Sequence, residues 1–162
     1  ALQEANAVSN LTVISFATKS DTHTISARNK FNASHGGGQI RMKAVAQNQA
    51  KVACNGMIDI SLQGGGTETY LTQEVLMLDS SAKVNAVPGL EIKTNDVSAS
   101  HSATVKRITQ EDLFYFGARG IVESLARKMY IEGFLEDFLL DLSQEDQEVI
   151  AGEIEKKYQA SS

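Results

Sequence analysis

Few residues in this 162-residue sequence could bind a metal, carry a thiolate or move a proton. They are His23, His35, His101, the single cysteine Cys54, and a band of acids near the end, Asp141, Glu145, Asp146 and Glu148. Cys54 shares its alternation with Val52 and Ile58, so a buried, inert thiol is expected, cysteine behaving there as a small hydrophobe. Alone, it can neither close an internal disulfide nor form a CxxC metal knuckle. His35 precedes three glycines and reads as a solvated turn residue. His23 lies on the side of Ile25 and reads as a hydrogen-bonded core histidine. The acids read as a solvated helix end rather than a metal cluster. The glycine triplets HGGGQ (35–39) and QGGGT (63–67) lack the GxxxxGK[ST] pattern of a phosphate cradle and read as turn corners. His101 stands apart, at a junction between two architectures, in SHSATVKRITQEDLFYFGARGI (100–121). It alternates with Val97, Ala99, Ala103 and Val105, so its ring is predicted to face the apolar side, where it needs a serine or backbone partner. Ser98, Ser100, Ser102 and Thr104 face outward.

The segment that must position these residues, up to about residue 108, has the period of two expected of strands. Ile25, Ala27, Asn29, Phe31 and Ala33 share one face. So do Ile40, Met42, Ala44 and Ala46, then Val52, Cys54, Ile58, Ile60 and Leu62, then Val84, Ala86, Leu90 and Ile92. These inward positions are mostly Ala, Val, Ile and Leu, which suits a narrow interior between closely opposed sheets. The triplets recur 28 residues apart, like equivalent corners of a winding repeat. A solenoid of strands is our reading of the pattern, and an antiparallel sandwich remains open to it.

From residue 109 onward the pattern is helical. Thr109 with Asp112 and Ser143 with Asp146 each place a hydroxyl at an N-cap and an acid three residues on, marking two helix starts. The first helix is predicted from Gln110 to about Ala118, ended by Arg119-Gly120, because glycine accepts the left-handed conformation that closes a helix. A second runs to about Leu140, with Ile121, Leu125, Met129 and Ile131, Leu135, Leu139 recurring every four residues. Ile150, Ile154 and Tyr158 do likewise in a third. The expected organisation is a strand-built body over 1–108 and a small helical domain over 109–162.

Charge follows the same division. The body holds 10 Lys/Arg against 8 Asp/Glu, the tail 5 against 12, for a net charge of -5 overall. Neither part has the basic surplus of a nucleic-acid binder, and the acidic tail would repel phosphate backbones. No run of about 18 apolar residues could cross a bilayer, and the start lacks the order of a signal peptide, so a cytoplasmic protein with no membrane role is expected. Because the first residue is Ala1, a processed chain or a piece of a longer one is also expected.

The segment VPGLEIKTNDVSASHSATVKRITQEDLFYFGARGI (87–121) resembles the most characteristic stretch of the SufB/SufD family of iron–sulfur cluster assembly proteins. It combines PxLEI, the D-V-x-x-S-H-x-A-T-V strand, an acidic helix start and LFY…RGI in the family's order. HTISARNKF and VACNGMIDI are similar to upstream family segments more loosely. The resemblance spans most of the chain but only the back half of a typical member. It implies a right-handed parallel β-helix flanked by helices, in complex with a SufB-like chain, or a second copy, through the β-helix, and with SufC, an ABC-type ATPase. By resemblance, Phe114, Tyr115, Arg119 and Gly120 lie at the ATPase-docking surface, Phe114 and Tyr115 alternatively packing the helices on the last coil. His101 is implied as a cluster ligand at a partner interface, neutral imidazole being a good iron ligand.

Departures narrow the resemblance to a SufD-like member. Ala82 stands where SufB proteins carry the cysteine implicated in holding the nascent cluster, and Ser102 follows His101 where they tend to have glutamate. Gly117 replaces a longer side chain. The expectation is therefore a non-enzymatic subunit that binds no cofactor alone and holds an iron–sulfur cluster only with a partner that supplies the thiolate. Two competing classes are a stand-alone structural β-solenoid and a β-helix carbohydrate-active enzyme. The latter needs acids stacked on neighbouring coils, and those of the body are scattered, with no Ser/His/Asp motif beside them.

Overall fold

In the computed structural model, which describes residues 1–140 and 142–159, the chain winds back and forth between two parallel sheets. β1 (Val8–Ala17), β3 (Gly37–Ala46), β5 (Thr67–Met77) and β7 (Val97–Arg107) form a 4-stranded sheet in that order. β2 (Thr22–Phe31), β4 (Lys51–Ile60) and β6 (Lys83–Ile92) form a 3-stranded sheet opposite. Every ladder is parallel and in register over its whole length, Val8 pairing with Gly37 and Lys51 with Lys83. The architecture is a β-solenoid, and the antiparallel sandwich left open by the sequence pattern is excluded.

Corners stack as the strands do. Lys19 and Asn48 both adopt left-handed backbone (φ 56 each) at equivalent corners, and the Gln49 amide donates to Lys19 O across them (2.9 Å). The glycine triplets occupy a common corner on the opposite side, where the His35 amide donates to Gly65 O (2.8 Å). Gly38 needs its φ of +117 and its missing side chain, because a Cβ would lie 2.1 Å from Ser9 O.

The interior is built from the alternation read in the sequence. Phe31, Ile40, Met42, Ala44, Cys54, Ile58, Ile60, Leu71 and Val75 are buried between the sheets. Leu62 departs from the expectation at 71% exposure: β4 stops at Ile60, and the Ser61–Gly64 turn breaks the alternation before it.

Three helices cover the outer face of the 4-stranded sheet: α1 (Gln110–Gly117), α2 (Glu123–Leu139) and α3 (Gln144–Gln159). Both predicted caps are present. The Asp112 amide donates to Thr109 Oγ1 (3.1 Å) while the Thr109 amide donates back to Asp112 Oδ2 (2.8 Å), and the Asp146 amide donates to Ser143 Oγ (3.2 Å). A second core joins Phe16, Val45 and Leu76 of the sheet to Leu113, Ala126, Ile131, Leu135 and Tyr158 of the helices. Strands and helices therefore share a core and stabilise one another.

A buried cation reinforces this junction. Lys43, on the outer face of β3, donates from Nζ to Phe134 O (2.6 Å) and to Asp137 Oδ1, and lies 3.3 Å from Glu74 Oε2. The Phe134 ring centroid is 4.8 Å from Nζ, and the Arg41 guanidinium sits 4.4 Å from that of Phe138. α2 is thus held both by apolar contact and by charge.

Candidate functional site

The last coil is the first candidate surface. β7 pairs only with β5, and β6 only with β4, so each leaves one edge of backbone donors and acceptors unpaired. His101 sits in the middle of β7, in register with Leu71, which is in register with Ile40. Leu71 and Ile40 are buried, whereas His101 is exposed. The predicted side is right and the predicted burial is not. A side chain in the inward row is covered only when another coil stacks on it, and among the described residues none stacks beyond β7. Among the described residues His101 has no hydrogen-bond partner, so its ring is available to an incoming group.

The other candidate ligands sit elsewhere. Cys54 is fully buried in the solenoid interior, and desolvation pushes its thiol pKa up, which favours the unreactive protonated form. Ala82 is buried at the turn between β5 and β6. His23 accepts or donates at Nδ1 with Ser15 Oγ (2.8 Å), the hydrogen-bonded role expected of it. His35 is exposed with a left-handed φ of 55, a turn residue. Asp141 lies outside the described residues, and Glu145, Asp146 and Glu148 are exposed on α3. Among the described residues no group of three or more His, Cys, Asp or Glu could hold a metal ion.

The second surface lies on the helices. Phe114 is 77% and Tyr115 55% exposed, while Leu113 and Phe116 do the inward packing of α1. Neither Phe114 nor Tyr115 belongs to the buried core under α1, though Tyr115 shares a cleft wall with Lys106 and Arg107 of β7. The Arg119 guanidinium stacks 3.6 Å from the Tyr115 ring centroid and donates from Nη1 to Tyr115 O (3.3 Å), so the two are held as a unit. Gly120, at φ 78, lets the chain turn from α1 into α2 and is itself exposed beside Arg119.

Sequence reasoning missed the extension of this surface. Leu125 and Met129 were expected on the buried stripe of α2, but that stripe is Ala126, Ile131, Leu135 and Phe138. Val122, Leu125 and Met129 are exposed, and with Gly133 they follow one another at steps of three and four residues on one helix face. With Phe114 and Tyr115 of α1 they leave a strip of exposed apolar side chains on a helical segment that is otherwise acidic, Tyr115 and Met129 meeting in the wall of one cleft. The signal was present in the sequence as two competing apolar stripes, and packing chose between them.

Between this strip and the end of β7 opens a cleft of about 890 Å³, lined among others by Lys106, Arg107, Tyr115, Phe116, Tyr130 and Gly133. Asp112, also in its wall, is occupied. Its carboxylate accepts from the Thr109 amide and hydroxyl and from Tyr130, and those bonds hold its pKa below the usual carboxylate value. Burial and then Asp112 raise that of the Tyr130 hydroxyl.

Comparison with known proteins points to one family. A family model described as "SUF system FeS cluster assembly, SufBD core domain" matches residues 1–134. Proteins named as iron-sulfur cluster assembly SufBD family proteins, from Staphylococcus epidermidis, Staphylococcus haemolyticus and Staphylococcus aureus, are each 29% identical over 132 residues. That match covers 82% of this chain and 28% of each relative, a smaller share than the half expected from the sequence.

Proposed function

Because the chain belongs to the SufBD family of iron–sulfur cluster assembly proteins, we propose that it is a non-enzymatic segment of a cluster assembly complex, meeting a SufC-like ABC ATPase through its helices and a SufB-like chain, or a second copy, through its last coil. The observation that carries this reading is the exposed apolar strip of Phe114, Tyr115, Val122, Leu125 and Met129. Apolar surface of this kind, rimmed by charge and anchored by aromatic side chains and an arginine, is the composition of an interface centre.

The cluster is cargo in this reading. The free edge of β7 suits pairing with a strand of the second chain, which would bring its ligands to His101. Neutral imidazole offers one bond to iron, and the buried Ala82 offers none, so the thiolates come from the partner. The isolated chain accordingly binds no cluster. A cytoplasmic, reducing location belongs to the same reading. Among the described residues no helix is long and apolar enough to cross a membrane.

The test uses the full protein, its SufB-like partner and the ATPase. Phe114→Ala and Arg119→Glu should each reduce ATPase capture with an unchanged melting temperature, while His101→Ala should lower the yield of reconstituted cluster without affecting capture. Undiminished capture by both helix variants would remove the docking assignment. Undiminished cluster yield would return His101 to a structural role.

A further inference from the structure

The cleft between the end of β7, α1 and α2 has features that an apolar docking strip does not require. Lys106 and Arg107 stand on its rim with no ion-pair or hydrogen-bond partner among the described residues. They do so beside a segment carrying 12 acids against 5 basic residues. The one acid in the wall, Asp112, is consumed by its own helix cap and by Tyr130. Arg119, on the neighbouring turn, lies on Tyr115 and has no carboxylate partner among the described residues either. The rim therefore presents uncompensated positive charge above a wall of Phe116, Tyr130 and Phe134.

Gly133 adds an independent observation. Glycine within a helix destabilises it, yet a Cβ at Gly133 would meet nothing within 4 Å. Packing inside this chain does not require the glycine. Its absent side chain instead leaves the backbone of α2 open to a group entering the cleft.

We propose that this cleft receives an acidic segment of the docked ATPase, an apolar or aromatic side chain seating against Phe116, Tyr130 and Phe134 over Gly133 while flanking carboxylates pair with Lys106 and Arg107. The inference rests on the docking reading and supplies its electrostatic specificity. Apolar contact on the strip tolerates salt, whereas pairing on the rim is weakened by it and chiefly governs the association rate.

The experiment measures binding of the full protein to the purified ATPase by biolayer interferometry at low and at moderate salt. Gly133→Phe adds bulk to the cleft from a Cβ position that meets nothing within 4 Å, and replaces a helix-destabilising glycine, so its melting temperature should be at least that of the parent while affinity falls about tenfold or more, as for loss of a buried anchor. Lys106→Gln with Arg107→Gln should slow association and flatten its dependence on salt. Parental affinity and salt dependence in both variants would overturn the inference. If Phe114→Ala still abolished binding in that case, the docking reading would stand without the cleft; if Phe114→Ala were also silent, the docking reading would fall. A melting shift of the isolated chain by ADP that Gly133→Phe removes would likewise overturn it, assigning the cleft to a small anionic ligand.

Discussion

Replacing Lys43 with methionine tests how α2, and with it the docking strip, is held on the solenoid. The Lys43 side chain is 5% exposed and Asp137 61%. Hydrogen bonds to a charged group contribute about 1.5–3 kcal/mol each when desolvated, and a buried cation–π contact about 2. Solvent at Asp137, and the longer, partly exposed approach to Glu74 (3.3 Å), reduce each ion pair's share to about 0.5 kcal/mol. Methionine keeps the apolar stem in place and removes the cost of burying the ammonium, which offsets part of the loss. The balance is a destabilisation of about 2 kcal/mol, dominated by the bond to Phe134 O and the aromatic contacts rather than by the ion pair. Urea denaturation should show a lower midpoint at unchanged slope. A double-mutant cycle with Asp137→Asn should return a coupling of about 0.5 kcal/mol. Hydrogen exchange should rise in α2 before it rises in β3 and β5. Stability within about 0.5 kcal/mol of the parent, the range of ordinary surface substitutions, would refute the reasoning, as would a coupling large enough to make Asp137 the principal partner.

Two further outcomes follow from the same chemistry. Partial burial works to raise the Asp137 carboxyl pKa, but the hydrogen bond and charge of Lys43 and the charge of Arg41 outweigh it and hold it below the usual value. Stability from this carboxylate is therefore complete above its unfolded pKa and is lost as pH falls through the lower folded one, so α2 amides should lose protection below about pH 4 in the parent. Asp137→Asn should show less of that acid loss, and identical acid profiles would count against the ion pair. Cys54, buried and with its thiol pKa raised by desolvation, should resist iodoacetamide until the chain is unfolded. Cys54→Ala should cost about 1 kcal/mol, the loss of one small buried group, and leave cluster assembly unchanged; abolished assembly in a folded Cys54→Ala protein would make the thiol functional.

Local order was legible wherever it depends on neighbours in the chain. The alternation through Ile40, Met42 and Ala44 and through Val52, Cys54, Ile58 and Ile60 is fixed by the period of an extended backbone, and those residues line the interior. The caps at Thr109 and Ser143 depend on one hydroxyl and one amide three residues on, so they formed as expected. The motif around His101 likewise led to the family. Leu62 escaped this logic because one turn interrupts the alternation.

Sequence by itself thus determined which side of a strand each residue takes, where helices begin, and which family the chain joins. Tertiary structure decided what lies on each side. Leu71 and His101 occupy the same inward row, yet one is buried and the other exposed, because only Leu71 has a coil on both sides. Lys43 alternates as a solvent-facing cation but is buried, because α2 crosses its face of the sheet. Leu125 and Met129 repeat at helical spacing but remain exposed, because the sheet engages the neighbouring stripe of Ala126, Ile131 and Leu135. Alternation is a property of the local backbone, whereas burial depends on distant segments arriving at the same surface, and only the folded chain specifies which surfaces are left uncovered for partners.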